Sequence, residues 1–184
     1  MSSLAGHFLI ASPYLPDPNF LRTVVLMVQH DDEGALGLVL TRPIHLTVQQ
    51  VWQSVSDETI DAPEHVLQGG PVEGPLMAIH QDASLSEIEV AEGVYFASQR
   101  DNIEALVRGE RKPYRLFAGY SGWGAQQLDA EMEVGGWLTL PATAAHVFQP
   151  NVDLLWKQVT EEVGTSIMRQ SLNLKQMPQD PNLN

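Results

Sequence analysis

The sequence of 184 residues contains no cysteine and only ten lysines and arginines, against 23 aspartates and glutamates. The absence of cysteine excludes disulfide bonds, thiolate nucleophiles, iron–sulfur clusters and cysteine zinc sites. The formal net charge of −13 opposes binding to nucleic acids and to anionic lipid surfaces, because both associations depend on neutralising negative charge. We therefore expect neither direct nucleic-acid binding nor membrane association.

Long hydrophobic runs are also lacking, and the start of the sequence does not indicate a secretory leader. The most apolar stretches, residues 24–28 and 35–40, are far shorter than the roughly 20 residues that cross a bilayer. The first ten residues have no basic segment ahead of an apolar core. These features predict a cytoplasmic protein. The chain length predicts one domain over residues 1–168, followed by a polar, flexible tail over 169–184.

A β-hairpin is the clearest local feature. Residues 23–29 and 35–41 are β-prone runs that flank Asp-Asp-Glu-Gly at 31–34, where glycine can adopt positive φ. The first run is apolar throughout its centre, which indicates burial on both faces. Thr47 and Gln50 then form a capping box that predicts a short helix.

The remaining elements follow in irregular order. A strand is predicted over 114–120, entering a glycine loop over 119–124, and helices are predicted over 125–133 and 152–163, the last ended by Gly164. Strands and helices that do not alternate regularly favour an α+β fold around a mixed, mostly antiparallel sheet.

Five motifs together resemble the YqgE/AlgH family. They are FLIASP at 8–13, the segment 20–28, GALGLVLTRP at 34–43, GGPV at 69–72 and GYSGWGAQQL at 119–128. The resemblance implies a small β-barrel-like core surrounded by helices, in a bacterial cytoplasmic protein of a family with no established activity. It also implies a regulatory association, because one branch of the family is linked to control of alginate production. The sequence departs from the family pattern at Thr41, where asparagine is common, and at Ala125, where proline is common.

The glycine motifs supply the first group of candidate ligand-binding residues. The spacing of glycines over 119–124 is similar to that of a phosphate-binding loop, but the lysine and the hydroxyl residue that such a loop requires are missing. Free backbone N–H groups ahead of a helix can still hold an anion, although a tight turn explains the glycines equally simply. Ser121 is not set in a nucleophile elbow, because Trp123 replaces the second glycine. The candidates are Gly70, Ser121, Gly122, Trp123 and Gly124.

Arg22 and Arg42 form the second group. The hairpin register places them close together at its open end, and two neighbouring guanidiniums require a negative partner. That partner is expected to be Asp17, Glu73 or a bound anionic ligand. The only basic cluster, over 108–115, is explained by the dipole at a helix C-terminus as readily as by phosphate binding.

Two main functions remain open. The first is a non-catalytic regulatory or adaptor protein that acts through protein contacts or a small anion. The alternative is an enzyme that combines the glycine loop with Arg42 and His80 in a cleft. A direct DNA-binding transcriptional regulator is a weaker third option, because no helix pair carries several cations on one face. No cofactor and no metal site are predicted.

Overall fold

A computed structural model describes residues 3–12, 15, 17–54, 56, 59–109 and 113–171 of the protein. The strands are β1 (His7–Ala11), β2 (Val24–Asp31), β3 (Gly34–Val39), β4 (Pro43–Thr47), β5 (His65–Gln68), β6 (Val72–His80), β7 (Ile88–Ala91), β8 (Val94–Ala97), β9 (Tyr114–Gly124) and β10 (Trp137–Pro141). The helices are α1 (Val48–Gln53), α2 (Arg100–Arg108), α3 (Gln127–Glu133), α4 (Ala144–Val147) and α5 (Val152–Ser171). The part of the predicted tail from residue 172 onward lies outside the described residues.

The strands form one mixed, mostly antiparallel sheet. Its main order is β10-β1-β2-β3-β9-β6-β8-β7, with β4 and β5 attached as a branch beside β9. The pairing of β5 with β9 is parallel, and the other pairings in the described residues are antiparallel. Residues 114–120 of β9 pair with β6, and its last four residues pair with β3. The predicted sheet type is confirmed.

The sheet curls into a half-barrel around one apolar core. Buried side chains from β1, β2, β3, β6, β7, β8 and β9 lie in a single cluster, which α5 covers with Leu155, Val159 and Val163. The last strand of the sheet, β7, curls back close to β1: a Cβ atom at Gly6, before β1, would lie 2.5 Å from the carbonyl oxygen of Val90 in β7. The α+β fold with a barrel-like core surrounded by helices is confirmed.

Two local predictions are also confirmed. Asp31 pairs with Gly34 at the hairpin turn, and its carboxylate accepts hydrogen bonds from the N–H groups of Glu33 and Gly34. The capping box is present in full, since Thr47 accepts from the backbone of Gln50 and Gln50 accepts from the backbone of Thr47. Both signals depend on residues within four positions of each other.

The predicted end of the last helix at Gly164 is wrong, because α5 continues to Ser171. A glycine inside a helix costs about 1 kcal/mol relative to alanine. Gly164 does not have the positive φ of a left-handed glycine that would cap the helix, so the helix continues through it. Across the described ranges, every helix is too short or too polar to span a bilayer.

Candidate functional site

The two glycine motifs meet where one chain segment crosses another. A Cβ atom at Gly69 would lie 2.2 Å from the carbonyl oxygen of Gly119, and one at Gly70 would lie 2.3 Å from the carbonyl group of Tyr120. Real Cβ atoms do not approach backbone this closely, so only glycine allows the crossing. The hydroxyl of Ser121 is buried there and donates to the carbonyl oxygen of Gly69 at 3.1 Å. Ser121 therefore fastens the crossing.

The predicted glycine loop over 119–124 is wrong. Gly122, Trp123 and Gly124 belong to β9 and pair with Leu36, Ala35 and Gly34 of β3. Their main-chain groups form part of the sheet ladder, so they do not make an open anion cradle ahead of α3. The N–H of Gly124 donates to the side chain of Gln127 at 3.1 Å.

Trp123 lies in a closed aromatic cluster on the outer face of the sheet. Its ring stacks on Phe20 at 5.9 Å between centroids and meets the edge of Trp137 at 6.0 Å. The Nε1 atoms of both tryptophans donate to the same carboxylate oxygen of Glu131, at 3.1 and 2.7 Å. Trp123 is buried, with 6% of its surface exposed. Its partners are this cluster and α3.

His80 is buried at the far end of β6. Its Nδ1 accepts a hydrogen bond from the N–H of Asp82 at 3.2 Å, which places the ring proton on Nε2. Within the described chain, Nε2 is buried without a partner. Burial lowers the pKa of His80, although the nearby charges of Asp82 and Glu87 oppose the shift. The ring is therefore neutral at pH 7.

His80 and the glycine motif are far apart. His80 pairs with Tyr114, and Gly122 follows Tyr114 by eight residues along β9. Eight residues of strand extend roughly 25 Å. The histidine, arginine and glycine groups of the enzyme hypothesis are not brought together in one cleft. In the described ranges, no group of three or more histidine and acidic side chains is arranged to hold a metal ion.

Arg22 and Arg42 lie at the open end of the β2–β3 hairpin. The pairing of Val25 with Val39 would set Arg22 opposite Arg42, but Arg22 has a left-handed backbone with φ of +54° and turns out of the ladder. Its guanidinium lies 5.7 Å above the ring of Trp156 in α5. Arg42 donates from Nη2 to the carbonyl oxygen of Pro18 at 3.4 Å.

No carboxylate among the described residues forms an ion pair with Arg22 or Arg42. The expected bridge through Asp17 or Glu73 is therefore wrong. The carboxylate of Asp17 instead accepts from the N–H of Asn19 and caps the short 3₁₀ turn Pro18–Phe20. The two arginines remain available to an external negative group.

Sequence reasoning missed a cavity of about 430 Å³ beside the first residues of β9. Arg115 lines it and donates from Nε to the carbonyl oxygen of Val147 at 2.7 Å and from Nη2 to that of Gln149. Burial lowers the pKa of this guanidinium. The basic cluster over 108–115 contains Arg115 and was the one feature of the sequence that could have indicated this site. The sequence does not show which arginine of the cluster is buried.

Tyr114 at the same cavity predicts a loss of stability at alkaline pH. Burial, and secondarily the charge of Glu64, raises its pKa to about 12 from an ordinary value of 10.0. Above pH 10 the unfolded chain releases a proton that the folded chain keeps, so the free energy of unfolding falls as the pH rises from about 10 to about 12. Urea midpoints should fall more steeply over this range in the wild type than in Tyr114→Phe. Parallel curves would contradict the prediction.

Comparisons with known proteins agree with this fold. The AlgH-like family DUF179 matches residues 8–168 of the chain. A UPF0301 protein of Stenotrophomonas maltophilia strain R551-3 is 38% identical over 175 residues, which cover 91% of this chain and 93% of that protein. A UPF0301 protein of Xanthomonas axonopodis pv. citri strain 306 is 39% identical over 175 residues, which cover 90% and 92%.

Two solved structures are similar to the whole chain or most of it. The solution structure of the AlgH protein from Pseudomonas aeruginosa matches with a TM-score of 0.71 and 30% identity over 97% of both chains. The crystal structure of protein DIP2367 from Corynebacterium diphtheriae matches with a TM-score of 0.69 and 24% identity over 85% of both chains, which supports the fold alone. Together, the family match and these relatives show that the chain belongs to the AlgH-like family, an uncharacterised family of bacterial proteins.

Proposed function

We propose that this protein is a non-catalytic regulatory or adaptor protein of the bacterial cytoplasm that contacts an acidic segment of a protein partner. The contact surface consists of Leu21 and Arg22, on the turn before β2, and of Arg42, just before β4. We name this surface the arginine turn. The observation that carries the proposal is an exposed leucine next to Arg22, on the segment whose Pro18 carbonyl accepts a hydrogen bond from Arg42, with no carboxylate partner for either guanidinium in the described chain. An acidic segment with a neighbouring apolar side chain complements this surface.

Contacts of Phe20 and Thr23 with the protein core anchor the backbone around Leu21. Phe20 packs against both Trp123 and Trp137, and the hydroxyl of Thr23 donates to the carbonyl oxygen of Phe20 at 2.8 Å. These contacts fix the residues on both sides of Leu21, whose surface is 71% exposed. A large apolar side chain presented on a rigid turn loses little conformational entropy when a partner covers it.

Charge makes the arginine turn distinctive on this molecule. The chain has 23 acidic residues and ten lysines and arginines, so most of its surface repels an acidic partner. Two of those cations lie here beside an apolar side chain, and a local positive surface on an acidic protein orients an incoming acidic segment. Arg22 also has a left-handed backbone, and strain of this kind is concentrated at functional sites.

Arg22→Gly separates a binding role from a structural one. Relief of the left-handed conformation is worth about 1 kcal/mol. Loss of the contact with Trp156 costs about 0.5–1 kcal/mol, and the greater freedom of glycine in the unfolded chain costs a similar amount. We expect the free energy of unfolding, measured in urea, to change by less than about 1 kcal/mol. A loss of more than about 2 kcal/mol would identify Arg22 as a structural anchor.

The proposal is tested by quantitative affinity capture from native bacterial cytosol. Arg22→Glu reverses one charge of the arginine turn, and Arg100→Glu is a matched control because Arg100 is exposed and without an ion pair among the described residues. We expect one set of proteins to be captured by the wild type and by Arg100→Glu, and to be reduced at least about tenfold with Arg22→Glu. Equal capture by all three proteins would contradict the proposal.

Direct DNA binding is expected to be absent. With a net charge of −13, the protein has too few unopposed cations to release counterions from a duplex. At about 0.15 M salt we expect no duplex complex tighter than about 1 μM in fluorescence anisotropy. A tighter complex that weakens steeply with added salt would support the transcription-factor alternative.

A further inference from the structure

We propose that the cavity beside Arg115 is a binding site for a small organic monocarboxylate with an apolar or aromatic body. The site has its own cationic group and is distinct from the arginine turn, although Pro43, which follows Arg42, and Val152 of α5 line it. It lies between β9, the β4–β5 branch, the start of α1 and the connection from α4 to α5. Its volume of about 430 Å³ lies within the range of small-molecule sites.

Arg115 supplies the cationic group. No described carboxylate forms an ion pair with its guanidinium, and its two hydrogen bonds go to the carbonyl oxygens of Val147 and Gln149. These bonds hold the guanidinium in place, but they bring no carboxylate to it, and none of the described residues supplies one. They also leave Nη1 without a partner in the described chain. A partly buried cation on a fixed support binds a carboxylate more strongly than an exposed one does.

The edge of β9 supplies main-chain groups. β9 pairs with β5 only at Phe117 and Ala118, so the edge over residues 114–116 has no strand partner on that side in the described chain. The carbonyl of Ala118 faces this edge, where it accepts from the N–H of Gly69. Since main-chain direction alternates along a strand, Tyr114 and Leu116 turn their main-chain groups to the same edge. The cavity therefore adds polar groups beside the guanidinium.

The rest of the lining determines the ligand class. The walls include Leu67, Leu116, Phe148 and Val152, which favour an apolar body. Glu64 also lines the cavity, where its negative charge acts on Tyr114, and it would repel a second anionic group on the ligand. A monocarboxylate with its charge at Arg115 and its apolar body against these walls satisfies both conditions.

The test uses 2-naphthoate as the probe and 2-naphthalenemethanol as its neutral counterpart, each titrated into the full-length ¹⁵N-labelled protein. We expect saturable shifts of the amides of Leu116 and Phe148 with 2-naphthoate. The neutral compound and the variant Arg115→Gln should each bind at least about tenfold more weakly, whereas Arg22→Gln should bind as the wild type does. Normal binding by Arg22→Gln separates this site from the arginine turn.

A second variant covers the case in which Arg115→Gln disturbs the α4–α5 connection. Val152→Trp places a large ring in the cavity and keeps Arg115, and it should abolish the shifts while the circular dichroism spectrum stays unchanged. Three results would overturn the assignment: equal binding of the charged and neutral compounds, shifts that cluster around Arg22 and Trp156, or no saturation up to about 10 mM.

Discussion

Gly70→Ala is expected to leave little folded protein at 25 °C. The added methyl group would lie 2.3 Å from both the carbonyl carbon and the carbonyl oxygen of Tyr120, and 2.4 Å from the backbone nitrogen of Ser121. These atoms belong to the central strand β9, so they can move aside only if the crossing opens. We expect a loss of more than about 4 kcal/mol, which is a large share of the 5–15 kcal/mol that stabilises a typical domain.

Gly164→Ala is the matched control for this substitution. It makes the same chemical change inside α5, where a new Cβ atom would meet nothing within 4 Å. Alanine is the better helix former there, so we expect a gain of about 0.5–1 kcal/mol. Urea unfolding followed by circular dichroism compares both variants with the wild type. If Gly70→Ala unfolds at the wild-type urea midpoint, the close approach of Gly70 to β9 is contradicted.

Trp123→Ala is expected to destabilise the protein by about 3–5 kcal/mol, the usual cost of truncating a buried tryptophan. The substitution removes the ring that stacks on Phe20 and one of the two indole donors to Glu131. The cavity that remains lies under the turn that carries Leu21, so we also expect the arginine turn to lose its fixed position. Urea unfolding measures the first effect, and amide hydrogen exchange over residues 18–23 measures the second.

Trp123→Phe separates the ring from its N–H group. It keeps an aromatic ring beside Phe20 and loses the hydrogen bond to the carboxylate of Glu131. A hydrogen bond to a charged group contributes about 1.5–3 kcal/mol, so this variant should lie between the wild type and Trp123→Ala. If Trp123→Ala keeps the wild-type urea midpoint, Trp123 is not a structural anchor and its role as a ligand or partner platform is favoured instead.

The parts of the fold that could be predicted from the sequence are those set by neighbouring residues. The hairpin at Asp31 and Gly34 and the capping box of Thr47 and Gln50 each depend on contacts within four positions. The α+β class followed from the order of such elements, and the family motifs added the barrel-like core. These predictions hold because no distant segment competes with the local geometry.

The glycines over 119–124 were misread because their cause is distant in the sequence. A glycine-rich stretch before a helix is typical of a loop, but here the glycines admit Gly69 and Gly70, about 50 residues away, against β9. In the same way, the register of β2 and β3 predicts that Arg22 lies opposite Arg42. It cannot predict that Arg22 turns toward Trp156, because that contact depends on the distant helix α5. Arg115 was hidden for a related reason, since its burial depends on the α4–α5 connection.

The measurement that tests the central claim most directly is photocrosslinking in living cells from a benzoylphenylalanine at position 21. The control carries the same group in place of Val134, which is 78% exposed and outside the arginine turn. We expect a discrete adduct from position 21 that is absent from position 134 and is lost when Arg22→Glu is added. The same adduct from both positions, or an adduct at position 21 that survives Arg22→Glu, would contradict the assignment of the arginine turn as the partner surface.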